Sequence, residues 1–187
     1  MKTQLKRKVV TLSILMFISA SWLHAQEAPY KYGIGVNVLS MEAVSFKAFM
    51  SPKLAIEMEL GYKWTYPGGR QSSAYGWGYG YYYSYYLPTL ELSPNFVYQS
   101  NIKDWQWGRL DYLVGGGLSI GYTWWWGRSG KLGLNAIGGV ELKFNKIPLA
   151  VQTDFRPGYG MVFRKGFTYH FFDWGINISA RYCFGKK

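Results

Sequence analysis

Residues Leu54–Trp64 read LAIEMELGYKW. Ile56, Met58, Leu60, Tyr62 and Trp64 share one parity; Ala55, Glu57, Glu59, Gly61 and Lys63 share the other. Side chains of a strand alternate between its two faces, so this segment has one apolar face and one charged face. A soluble sheet hides its apolar face in a core. A closed barrel in a membrane turns that face to lipid and keeps the polar face in its lumen. The size of the residues separates the two. The largest side chains gather on the apolar face, whereas small and charged ones take the other. That pattern predicts a membrane barrel rather than a β-sandwich or a lipocalin-like barrel.

Working outward, the same alternation predicts eight strands: 32–39, 43–50, 54–64, 87–99, 110–124, 134–144, 149–156 and 174–184. In the last, Trp174, Ile176, Ile178, Ala180, Tyr182 and Phe184 oppose Asn177, Ser179, Arg181 and Cys183. Pro88 and Pro94 weaken the fourth, since proline cannot donate to a ladder. The connections after strands three, five and seven are longer than those after two, four and six. Membrane barrels have short turns on one side and longer loops on the other, and this alternation fits them. The first connection, near Ser40–Glu42, is short and breaks the trend. Aromatics flank the strands: Tyr62, Trp64, Tyr66 and Tyr122 to Trp126 at one end, and Trp105, Trp107, Tyr182 and Phe184 at the other. Interfacial girdles need this placement.

Composition agrees. The chain has 187 residues, 20% aromatic, 17% charged and 23 glycines, which suits strands and turns in a single domain. Mean hydropathy is −0.12. Lys2, Lys6, Arg7 and Lys8, then the apolar run 9–18 and the short segment 19–25, read as a secretory signal cleaved after Ala25. Residues 26–187 then form the barrel domain. Removing the signal leaves 17 Lys and Arg against 10 Asp and Glu, a net +7. These charges are dispersed, which argues against nucleic acid and suits anionic lipid headgroups. The single cysteine, Cys183, forms no internal disulfide and reads as a packed thiol.

Three stretches carry a resemblance: Tyr32-Gly-Ile-Gly-Val-Asn-Val, Gly139-Val-Glu-Leu-Lys-Phe-Asn-Lys-Ile-Pro and Asp173-Trp-Gly-Ile-Asn-Ile-Ser-Ala-Arg-Tyr-Cys-Phe. Together they resemble the small outer-membrane β-barrel proteins common in Bacteroidota, similar in build to OmpA/OmpX-type eight-stranded barrels. The resemblance implies an integral protein of a Gram-negative outer membrane. It also implies that Gly175, Ile178, Tyr182 and Phe184 form the C-terminal signal read by the barrel-insertion machinery. Most members have no assigned biochemical activity.

The polar parity predicts a lumen holding six acids, Glu57, Glu59, Glu91, Asp111, Glu141 and Asp154, and five bases, Lys47, Lys63, Lys143, Arg156 and Arg181. Eight strands enclose an interior that side chains just fill, so near-balanced charges read as a paired, packed network. A narrow porin-like channel is the alternative, and a lipid A-modifying enzyme ranks below it. Such an enzyme needs a His with Ser and an acid in reach. The mature chain has one His, His170, without a Ser at a suitable spacing. No metal or cofactor site is expected, because one His and one Cys far apart are too few ligands. The glycines at 115–117 and 138–139 lie within strand patterns and read as close strand packing rather than phosphate loops.

The most individual segment is the outer loop, about residues 65–86. Its part AYGWGYGYYYSYY presents Tyr75, Trp77, Tyr79, Tyr81, Tyr82, Tyr83, Tyr85 and Tyr86. Tyr and Trp supply rigid contact area with a polar handle. The loop is therefore a candidate surface for an envelope protein complex or a surface glycan. The expected role is structural, or that of an interaction partner, rather than enzymatic.

Overall fold

The computed structural model describes residues 30–65, 87–123, 128–164 and 167–185; the expected signal 1–25 and all eight loop aromatics from Tyr75 to Tyr86 lie outside them. The described chain is all β, in the order β1 (Tyr32–Leu39), β2 (Glu42–Phe49), β3 (Leu54–Thr65), β4 (Leu87–Asp104), β5 (Gly108–Thr123), β6 (Ser129–Phe144), β7 (Leu149–Phe155), β8 (Gly158–Arg164), β9 (Phe167–Asp173) and β10 (Ile176–Phe184). The sheet runs β5-β4-β3-β2-β1-β10-β7-β6-β8-β9 and closes through an additional β5–β6 pairing.

These ten segments make eight staves. β7 and β8 keep one register against β6, with Gly138 opposite Phe155 and Asn135 opposite Gly158. Between them Ala136 N–H donates to the Pro157 carbonyl at 2.9 Å. β10 and β9 continue each other in the same way against β7 and β8, and Arg156 N–H donates to the Gly175 carbonyl at 2.9 Å. The barrel is therefore a closed, eight-stranded, antiparallel one.

Its shear can be walked through outward residues. From Ala180 the rungs lead to Val36, Val44, Leu60, Leu92, Ile120, Leu132, Met161 and then His170. The circuit ends on the starting stave, displaced by ten residues. Such a stagger accompanies strands tilted by about 35–45° to the barrel axis.

Two expectations are corrected. The 17-residue connection expected after strand seven is instead the upper part of the last two staves, β8 and β9. Pro157, Gly158 and Gly160 mask the alternation there, yet Tyr159 and Phe163 still point out and Val162 in. β4 also crosses both prolines and runs to Asp104. Its ladder with β5 skips Ser93 and Pro94, passing from Leu92–Ile120 to Asn95–Gly117, and so absorbs the missing donor.

Burial is inverted relative to a water-soluble sheet. Outward Val44, Leu60 and Trp64 are 59, 53 and 59% exposed, whereas inward Lys47, Glu57 and Glu59 are fully buried. Among the described residues, inward apolar side chains form two small clusters, with Met41, Ala43, Val162 and Phe171 buried outside them. Tyr30, Phe49, Ala55, Ala150 and Cys183 close the end where the chain enters and leaves. Val97, Leu113 and Ile137 line the β4–β6 wall. Some glycines are steric requirements. A Cβ on Gly117 would lie 2.2 Å from the Pro94 carbonyl oxygen, and one on Gly139 would lie 2.2 Å from that of Thr153.

Candidate functional site

The parity of each strand delivers its charges to the lumen. All eleven expected residues face inward, and all but Lys63 are buried. The centre is built on Lys47 of β2. Its Nζ lies 3.1 Å from Glu57 and 2.9 Å from Glu141, and it donates to Gln99 at 2.6 Å. Arg181 of β10 donates through Nε to Ser45 at 2.9 Å and through Nη1 to Gln152 at 2.7 Å. Its guanidinium also lies 3.5 Å from Glu57 and 3.6 Å from Glu141. Arg156 engages Asp154 and Glu59 directly and lies 3.6 Å from Glu57. Gln99 links the cluster to Asp111 at 2.9 Å, and Glu91 is held apart by Lys131 at 2.6 Å.

Reading by strand pattern missed three lumenal charges: Arg109, Lys131 and Asp173. Arg109 Nε pairs with Asp111 at 2.6 Å, Lys131 with Glu91, and Asp173 with Lys63 at 2.5 Å. Each lies beyond an expected strand end. Parity still marks them, because Arg109 matches Asp111, Lys131 matches Glu141, and Asp173 matches Arg181. With them the lumen holds seven acids and seven bases. Burying a charge without a partner is costly, and full balance lets every one be neutralised.

Tyr30, just before β1, is a further member that the alternation gave no reason to expect. It is 2% exposed, donates to Glu141 at 2.9 Å and stacks edge-on against Phe49. Lys143 lies over its ring at 4.1 Å, so this residue stoppers the end of the lumen. At the opposite end a void of about 20 Å³ is lined by Met41, Glu59, Lys63, Asn135, Arg156 and Asp173, among others. That is room for about one water-sized group.

Outside the lumen, His170 is exposed on the outer face of β9 and pairs with Tyr159, Nδ1 to hydroxyl at 2.8 Å. Among the described residues no group of three His, Cys, Asp or Glu is arranged to hold a metal. Cys183 is buried at the stoppered end. Of the C-terminal residues, Ile178, Tyr182 and Phe184 point outward on β10. Gly175 lies against Ser40, where a Cβ would come within 2.4 Å of that side chain. Trp105 and Trp107 stack at 5.4 Å in the β4–β5 turn, and Tyr62, Trp64 and Tyr122 ring the far end. No family model, curated protein or solved structure matches the chain.

Proposed function

We propose that this chain is an integral outer-membrane β-barrel with a filled, salt-bridged lumen, serving the envelope as a structural or interaction protein. The observation that carries the reading is the inverted burial. A soluble monomer rarely exposes a contiguous apolar patch beyond a few hundred Å². Here every stave turns aliphatic and aromatic residues outward, while ion pairs take the place of a core. Only a solvent that is itself apolar makes that arrangement stable. The paired lumen favours a scaffold over a conduit, because its charges are committed to one another. Any specific contact is then made by the outer surface, with the aromatic loop of residues 75–86 as the first candidate.

The test is to express the full chain with its leader in a Gram-negative host, separate the membranes, and compare boiled and unboiled gel mobility. Recovery in the outer membrane with a heat-dependent shift supports the reading. Recovery as a soluble periplasmic protein overturns it. In the folded protein, Tyr81→Ala with Tyr83→Ala should keep the shift while reducing co-purification of any envelope component.

A further inference from the structure

The barrel wall is not of even height. β1 and β2 turn at Ser40–Met41, helped by Leu39 at φ 85°, a left-handed conformation that leucine rarely adopts. The staves on either side continue. β3 runs three residues past its last rung with β2, Glu42–Tyr62, and β9 extends from Asp173 back to Phe167. Among the described residues β9 has one strand neighbour, β8, and β3 beyond Tyr62 has only β4. A seam therefore opens above Ser40, where two further strands fill the wall lower down. Three strand spacings make it about 14 Å wide.

Two side chains cross this seam. Lys63 of β3 and Asp173 of β9 meet at 2.5 Å, 15 and 18% exposed. Both, with buried Met41, help line the 20 Å³ void. Its cations are committed, Lys63 to Asp173 and Arg156 to Glu59 and Asp154. What it offers is an acceptor. Asn135 donates its amide to Asn95 at 2.9 Å, while its own Oδ1 receives no hydrogen bond. The void exceeds the roughly 10–15 Å³ that a water-sized group needs. The rims are apolar and strongly exposed: Leu39 on β1, Trp64 on β3, and Phe172 and Trp174 on the last stave.

We propose that the seam is a lateral binding site for an amphiphile with a neutral, hydroxyl-bearing head, and that the Lys63–Asp173 pair is its latch. A hydroxyl enters past the pair to donate to Asn135, and the apolar chain lies along Leu39, Trp64 and Trp174. An anionic head is disfavoured because no cation is left to receive it. This inference rests on the membrane reading above, since the chain must approach from the apolar side.

The test uses full-length protein in lipid nanodiscs with a photoreactive alkyl glucoside, and an alkyl phosphate of equal length as comparison, with labelled residues mapped by mass spectrometry. The glucoside should label Met41 and the seam rims above the general belt and in preference to the phosphate. Removing the latch with Lys63→Ala and Asp173→Ala should raise Met41 labelling several-fold. Lys63→Cys with Asp173→Cys, in a Cys183→Ser background, should suppress it when the two thiols are bridged by a bis-methanethiosulfonate linker long enough to span the seam, and restore it when the linker is released by reduction, since the seam is too wide for a direct disulfide. Equal labelling around the whole belt, preference for the phosphate, or Met41 unlabelled in both latch states overturns the proposal. Uniform labelling of Val44 and Ile178 reports the membrane face separately, so failure of the seam and failure of the membrane reading are distinguishable.

Discussion

Lys47 and Glu141 meet at 2.9 Å across the full width of the barrel, from β2 to β6, four staves apart in either direction. A contact of this kind fixes the cross-section, because the two walls have no direct rung in common. Removing Lys47 leaves buried Glu141 with Arg181, 3.6 Å away, as its nearest cation. Lys47→Met is thus expected to cost about 3–5 kcal/mol. Adding Glu141→Gln removes the excess negative charge and should return part of the loss. Urea unfolding followed by the heat-dependent gel shift measures both, and a double variant no more stable than the single one refutes the pairing.

Arg181 tests geometry rather than charge. Its planar fork reaches Ser45 and Gln152 while lying beside Glu57 and Glu141. Lysine keeps the charge but cannot hold that set of contacts at once. Arg181→Lys should therefore destabilise the barrel, by about 1–3 kcal/mol for the hydrogen bonds left unmade. A variant as stable as the parent in the same unfolding experiment would show that charge balance alone suffices.

Val44 tests which solvent the outer face meets. It sits between Val36 and Leu60 on the outward circuit and is 59% exposed. In water, Val44→Arg at so exposed a site should change stability by no more than about 0.5 kcal/mol. In a bilayer, arginine near the midplane costs about 2–4 kcal/mol. The membrane reading predicts the larger loss for protein folded into lipid vesicles. An unaltered midpoint would point to a face turned to water.

How much of this was legible in the sequence follows from parity. Alternation fixes which face each residue takes, so the eleven inward charges could be assigned without knowing any neighbour. It does not fix where a strand stops. Arg109 and Lys131 lie where a glycine interrupts the apolar parity, and Asp173 lies before a tryptophan that looked like a strand start. Pro157 hid the longer hairpin for a related reason. A missing N–H usually ends a ladder, but here its carbonyl still accepts from Ala136 and the register survives. The pairing Lys47–Glu141 and the stopper at Tyr30 join residues 94 and 111 apart. Such contacts depend on closure and shear, which alternation along one strand does not encode.

The adjacent glycines Gly138 and Gly139 point to opposite sides of one strand and should answer the same substitution with opposite signs. A Cβ on Gly139 would come 2.2 Å from the Thr153 carbonyl oxygen and 2.6 Å from Asp154, both in the neighbouring strand β7. These are backbone and first-carbon atoms that cannot swing aside, so the strands must part where Asp154 holds Arg156. Gly139→Ala should cost about 1–3 kcal/mol as an overpacking change. A Cβ on Gly138 meets nothing within 4 Å. There the loss of unfolded-state freedom dominates, and Gly138→Ala should stabilise by about 0.4–1 kcal/mol. Unfolding midpoints of the two variants, measured side by side in the same detergent, check the contrast. Equal effects would mean that β6 and β7 do not approach as closely as this register requires.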